Sequence, residues 1–493
     1  MQKLFVRNCF VWLSTAATVT LIAVPAGAVP PNQPTVTHQG QVTRQDVPSK
    51  PGSEPDTVVE PDVAVSPLNG KVAIAAAHDS RYANGGAVGI SVAWTADGGA
   101  HWHHMPVRGI TTATGGSYQR ASDPVVAFGP DGTAYLSVLL INATSCPTAV
   151  AVLRSTTGGQ TWSKPFYAHK SATCDYSDDK NWLVVDDSPA SPHYGRLYQF
   201  WTPFRFHGNT FLGSPQAVRW SDDKGTTWSS THYVTSTDHG TQNSQPMILA
   251  NGSVVDTYYD YGPGAAAPDA APGAQPDSPR PRLHRFATAA AAIDAAGPIY
   301  ASTSTDGGAR WSHTVEITNL GGGFADGVRC CLFGADIDSV THTMYVAWNG
   351  GVADTDPVYV SSSTNGRLWS SPIRVSRGDV SGVQRVNVDV AARAGRVYIG
   401  YGTRTRPEQN GGYVQQQLSV SYNGGRSFGP PISVGPRSVL KYAARSDGFF
   451  PGDYIGEAVA RGRLYMVWAV SSKPPAYSSS KFHQIIYGAT FRL

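Results

Sequence analysis

The chain has 493 residues and a near balance of 38 Lys plus Arg against 35 Asp plus Glu. That balance argues against a nucleic-acid partner or a polybasic membrane surface. Gly, Pro, Tyr and Trp are plentiful while charged residues make up only 15%, the profile of a turn-rich, extracellular, all-β protein.

In chain order, Lys3 and Arg7 precede an apolar run from Phe10 to Val24, and Ala26-Gly27-Ala28 supplies small residues for cleavage. Residues 1–28 therefore read as a secretory signal peptide, with a secreted product beginning at Val29. Cys9 lies too early to be a lipid-modified cysteine, and no later stretch is apolar enough to span a bilayer. Residues 29–55 are Pro-, Gln- and Thr-rich and read as a flexible lead-in. Within them Thr35-Val36-Thr37-His38 is a candidate closing strand.

From residue 56 onward an apolar strand, a turn and a second strand recur seven times. The copies start at Asp62-Val63, Pro124-Val125, Trp182-Leu183, Pro246-Met247, Leu332-Phe333, Val386-Asn387 and Tyr454-Ile455. Turns such as Asn69-Gly70, Asp131-Gly132 and Asn251-Gly252 suit hairpins. After six of these hairpins comes a third strand, a short motif and a fourth strand. Residues 262–298 are Gly-, Ala- and Pro-rich and read as a surface insertion between the second and third strands of the fourth unit, with a short helix at Ala289–Ala296. The seventh hairpin is followed by Gln484-Ile485-Ile486-Tyr487 and the chain end. Its missing outer strand is expected from the lead-in.

The short motif is sharpest at Ser221-x-Asp223-x-Gly225-x-x-Trp228. Further copies are Thr95/Asp97/Gly99/Trp102, Ser155/Thr157/Gly159/Trp162, Ser304/Asp306/Gly308/Trp311, Ser362/Thr364/Gly366/Trp369 and Ser421/Asn423/Gly425/Phe428. The polar side chains bond nearby amides, Gly supplies positive φ, and the aromatic packs between units. A repeat of this length means stacked supersecondary units. The predicted fold is all-β, a seven-bladed β-propeller of four-stranded antiparallel blades over residues 56–493, with six blades and an extra hairpin as the alternative.

These six turns resemble the Asp-box, or BNR repeat, of the sialidase superfamily. The resemblance implies a propeller directed at glycans. Sialidases clamp a carboxylate with three arginines and use a Glu-activated Tyr as nucleophile and an Asp as acid/base. By position Asp79 matches that Asp, Tyr454 the nucleophile, and Arg329 and Arg385 the clamp. Departures are visible: Glu60-Pro61-Asp62 stands where the family has an Arg-Ile-Pro start, Asn243 replaces the Glu, and Tyr259 replaces an Arg. The functional reading is a glycoside hydrolase with a non-standard site, and the alternative is a non-catalytic glycan- or protein-binding propeller.

Strand starts face the central channel of a propeller. They supply Glu60, Asp123, Asp179-Lys180-Asn181, Gln245, Arg329, Arg385 and Asp453-Tyr454 as a polar mouth suited to a sugar. Of these, Asp123, Asp179, Gln245, Arg329, Arg385 and Asp453 are the candidate substrate contacts. Cys146 and Cys174 flank one repeat and are expected to form a disulfide. Adjacent Cys330 and Cys331 are either a vicinal disulfide or two thiols. No cofactor or metal is expected, and His101-Trp102-His103-His104 is not read as a metal patch because alternate residues point oppositely. A monomer is expected.

Overall fold

A computed structural model describes residues 33–142, 148–171, 173–208, 210–265, 297–319, 327–328, 332–350, 356–378, 380–406, 409–446, 448–476 and 478–493. Two compact units divide between Pro34 and Thr35, and Thr35–Leu493 carries the sheets. It is built almost wholly from strands. The short 3-10 turns among the described residues are Thr112–Thr114 and Leu440–Tyr442, and no helix there is long and apolar enough to cross a membrane.

Register resolves the strands into antiparallel units of four, apart from the extra strand Thr210–Gly213 in the third unit and the short pair Ala444–Arg445 with Phe449–Phe450. The first two units form one larger sheet, linked by the Ala87–Ala121 pair. Counted this way, the described residues make seven units. Their innermost strands are Val58–Val65, Arg120–Phe128, Tyr176–Val185, His239–Ile248, Gly334–Ile337, Gln384–Arg393 and Gly456–Ala460. Each contacts the next, and the last contacts the first. The ring closes through the N-terminal segment: Thr35–Thr43 pairs antiparallel with the final strand, Gln484–Arg492. This strand is longer than the four residues expected, and it covers an edge that would otherwise lie open.

Residues after that strand are tied to the second strand of the first unit. Asp79 accepts the backbone N–H groups of Asp46 and Val47, and Ser80 Oγ donates to the Val47 carbonyl. The expected insertion is flanked by paired strands Val254–Pro263 and Ile299–Ser304. Its residues 266–296, with the Ala289–Ala296 helix, lie outside the described residues, as do Cys146, Cys330 and Cys331. The Cys146–Cys174 pairing therefore stays a proposal.

The six motif turns lock the third strand of each of the first six units to the fourth. In the sharpest copy Ser221 Oγ accepts the Gly225 N–H at 2.8 Å, Asp223 Oδ1 accepts the Thr227 N–H at 2.8 Å, and Trp228 Nε1 donates to the Gly225 carbonyl at 3.1 Å. In the fifth copy the caps are Ser363 and Asn365, because Ser363 Oγ accepts the Gly366 N–H and Asn365 Oδ1 accepts that of Leu368. The sequence alignment on Ser362 and Thr364 was one residue out of phase, since this turn is one residue tighter. The motif glycine lies on the preceding unit: at Gly159, with φ of 93°, a side chain would strike Ile74 and Trp94. That close approach, together with the positive φ, is why Gly is needed there.

Innermost strands carry a repeated irregularity that builds the mouth. Register slips between Val59 and Asp62, Ser122 and Val125, Asp179 and Trp182, Gln242 and Gln245, and Val386 and Val388. At each slip one non-glycine residue takes positive φ: Glu60 (55°), Asp123 (44°), Lys180 (41°), Asn243 (62°) and Asn387 (49°). Such bulges re-aim side chains, and each left-handed residue costs about 1–3 kcal/mol. Some of that cost is met by bonds to the following unit: Asn243 Nδ2 donates to the Phe333 carbonyl and Asn387 Nδ2 to that of Gly452. Aspartates on three innermost strands reach the next unit in the same way with carboxylates. Asp62 accepts Val126 N–H, Asp336 accepts Ala392 N–H and Asp389 accepts Glu457 N–H.

Candidate functional site

The bulges of the first three units and the start of the seventh bring five side chains together. Glu60, His78, Asp123, Lys180 and Tyr454 are 4%, 2%, 7%, 3% and 6% exposed, so their charges interact with little screening. Ligand-type atoms of Glu60, His78 and Asp123 all lie within 4.8 Å of one another.

His78 bridges two of the acids. Its Nε2 accepts the Asp123 backbone N–H at 2.7 Å. Its Nδ1 lies 2.8 Å from Glu60 Oε2, close enough for charge attraction but without the geometry of a hydrogen bond. Glu60 Oε1 also accepts the Asp453 N–H at 3.4 Å. Asp123 is the hub. Tyr454 Oη donates to its Oδ1 at 3.5 Å, and the Asp179 carboxyl is in hydrogen-bonding contact with it. Burial first, and then the Glu60 charge, push the Asp123 carboxyl up from its ordinary value, against the pull of Lys180 and His78. Like charges this close do not both ionise.

Lys180 supplies the cluster's cation. Its Nζ is buried without a hydrogen bond among the described residues and sits 3.8 Å from the ring centre of Tyr454 and 4.9 Å from that of Trp182. A cation over aromatic faces is attracted by the ring quadrupole. Tyr454 itself is pushed well above its ordinary value, by burial first and then by Asp123, Glu60, Asp62 and Asp453. The phenol therefore serves as a proton-bearing donor in this arrangement, not as a ready phenolate.

The other sequence candidates fall at varied distances from this hub. Asp179 is half-buried; its Oδ1 accepts the Lys180 N–H and its Oδ2 accepts Gln242 Nε2. Asn243 and Ser244 occupy the bulge of the fourth unit, with Gln242 and Gln245 as the paired residues on either side of it. Gln245 lies beyond the slip, where its carbonyl accepts the Thr257 hydroxyl. Asp453 borders Glu60 through its backbone. Arg385 is buried, and its guanidinium donates to the Val383 and Arg377 carbonyls. Burial lowers its pKa. Arg329 lies outside the described residues. Asp79 is fully buried, bonded to Asp46, Val47 and Ser91, so it holds the N-terminal segment against the second strand.

Two site residues were missed by the sequence reading. His78 precedes Asp79, and strand alternation sends the two to opposite sides; the phase was visible, but which side faced the mouth was not. Lys180 was read as one member of a polar triplet, without its role as the buried cation. The Glu60, His78 and Asp123 set has the donor types of a divalent-metal site. Yet His78 Nε2 is occupied by a backbone N–H, and the Lys180 charge acts on Asp123, so the fit to a cation is poor. His101 and His104 pair with Asp97 and Asp46 respectively.

No family model matches the chain, and no curated protein matches it. Among solved structures, a protein of unknown function from Dyadobacter fermentans is similar at 13% identity and a TM-score of 0.46, over 93% of this chain and 100% of that one. An α-L-arabinanase of Penicillium chrysogenum, complexed with arabinobiose, is similar at 12% identity and 0.49, over 79% and 98%. The Trypanosoma rangeli sialidase, in complex with the inhibitor DANA, is similar at 12% identity and 0.43, over 75% of this chain and 58% of that one. Likeness at this level does not carry an activity from those proteins to this chain.

Proposed function

We propose that this chain is an exported, glycan-directed propeller that hydrolyses a glycosidic bond by acid/base chemistry centred on Asp123. The observation that carries the reading is the convergence on Asp123 of Tyr454, Asp179 and Glu60 around the buried cation of Lys180. A carboxyl raised by burial and a like neighbour is the form in which an acid donates near neutral pH. Asp123 gives its proton to the leaving glycosidic oxygen as the C–O bond breaks. In this scheme Glu60 acts as the carboxylate beside His78 that offsets positive charge developing on the sugar ring. Water then adds to the anomeric carbon, and its proton returns to Asp123. Glu60 and Asp123 oxygens lie within 4.8 Å, closer than the about 6.5–9.5 Å that an inverting pair needs to hold a water between them, so the two do not work as an inverting acid and base.

A second reading, glycan binding without turnover, is favoured by the near-complete burial of these five side chains and by the pinning of Arg385. The test is release of new reducing ends from a panel of polysaccharides and chromogenic glycosides, a sialoside included. Turnover lost in Asp123→Asn supports the hydrolase. Retention of a glycan on an array with no turnover of any substrate supports the binder.

A further inference from the structure

A separate cavity lies at the seam between the fifth and sixth units, lined by the outer strand of the fifth with the segment after it and by the motif turn of the sixth. It has a volume of about 520 Å³ and is lined by Arg374, Arg377 and Arg426, with Ser376, Ser427 and Phe428 among its other walls. All three arginines are exposed, and no Asp or Glu lines the cavity among the described residues. Asp379 lies outside those residues. The arginine ion pairs described elsewhere in the chain are Arg81–Glu54 and Arg196–Asp222; Arg377 and Arg426 form none among the described residues.

Two of the guanidiniums are set in place by backbone. Arg377 Nη2 donates to the Phe428 carbonyl at 2.6 Å, and Arg374 Nε donates to the Ser376 carbonyl at 3.2 Å. Each tie uses one N–H of a five-donor fork and fixes the plane of the rest. Ordering an arginine before a ligand arrives removes part of the entropy cost of binding. Arg426 comes from the sixth motif turn, directly after Gly425, whose N–H is held by Ser421 Oγ at 2.9 Å. Three like charges facing one cavity repel one another, and a bound anion relieves that repulsion. Guanidinium forks match the two-oxygen edge of a carboxylate or sulfate.

We propose that this cavity binds the carboxylate or sulfate groups of an acidic glycan chain, outside the mouth that holds Asp123. The glycan half of this inference rests on the function proposed above, while the anion half does not. The test measures binding of the full mature chain to dextran sulfate, to polyuronate and to neutral dextran, at low and at 0.5 M salt. Wild type is expected to bind both acidic polymers, to ignore neutral dextran at this site, and to release the acidic polymers at high salt. Arg377→Gln with Arg426→Gln is expected to weaken acidic-polymer binding at least tenfold. The equal charge change Lys71→Gln with Arg310→Gln, placed on the first and fourth units, should leave it within twofold. Equal losses in the two double variants would mean general charge attraction and would overturn the site, as would unaltered binding in Arg377→Gln/Arg426→Gln. Inorganic sulfate that competes with the polymers, in a protein that neither binds nor cleaves any glycan at the Asp123 mouth, would sink the proposed function and keep the anion site.

Discussion

Replacing Asp62 with Asn isolates one of the buried carboxyls that ring the inner strands. Burial raises the Asp62 carboxyl from 3.8 to about 7, and the N–H bonds from Val126 and Val63 together with the Lys180 charge recover only part of that cost. A group raised in the folded state binds a proton more tightly there than in the unfolded chain. Its contribution is therefore fully present below pH 3.8 and is lost as pH rises through about 7. The displacement is worth about 4 kcal/mol over that window, at about 1.4 kcal/mol per pH unit. Asp336 at about 7, Asp79 at about 7 and Asp256 at about 8 act with the same sign. The motif aspartates are opposite in sign: slight burial is outweighed by hydrogen bonds that hold Asp223 and Asp306 below their ordinary value, and their contribution is lost only in acid below pH 4. Urea unfolding from pH 4.5 to 8 should show stability falling as pH rises. Asp62→Asn, which loses about 1 kcal/mol at pH 5 with one amide bond, should flatten the slope by about 1.4 kcal/mol per unit between pH 4.5 and 6.5. Wild-type stability that climbs from pH 5 to 8, or a variant slope equal to the wild-type slope, would refute the argument.

Other expectations follow from single contacts. Asp123→Asn keeps a residue type tolerant of the 44° φ and should leave the thermal midpoint within a few degrees, by scanning calorimetry, while turnover falls at least about 100-fold. Ser221→Ala removes the acceptor of the Gly225 N–H and should cost about 1–2 kcal/mol in urea unfolding, with activity unchanged because the turn joins outer strands. Deleting residues through Thr43 strips the strand paired with Gln484–Arg492; light scattering should then show association through the bared edge, and a monomer of wild-type thermal midpoint would count against ring closure by that strand.

Much of the fold is written locally, in turns and alternation. Gly, Asp and Trp at fixed offsets near Ser221 declare a hairpin between third and fourth strands, and seven apolar strand pairs declare the units. Even the closing strand at Thr35 is visible as a β-branched run, although its length is not. The phase of the fifth turn failed because Ser362, Ser363, Thr364 and Asn365 all offer capping oxygens, and only backbone geometry chooses Ser363 and Asn365. The site was less legible for a physical reason. Bulges at Glu60, Asp123, Lys180, Asn243 and Asn387 shift the period-two alternation by one, so a side chain before the slip and one after it do not face as simple counting says. Gln245 is expected at the mouth as the start of the strand at Pro246, and it sits paired with Thr257 at the edge of such a slip. Asp79 was chosen by resemblance, but its carboxylate is occupied by Asp46 and Val47, and the neighbouring His78 reaches Asp123 instead.

The most direct test of acid/base hydrolysis at Asp123 is digestion of whichever polysaccharide yields new reducing ends, run in ¹⁸O-water and read by mass spectrometry. The wild-type chain should add one heavy oxygen at each cleaved bond, and Asp123→Asn should add none while still binding the polymer. Heavy oxygen incorporated equally by Asp123→Asn, or no cleavage by the wild type of any polymer it binds, would contradict the assignment.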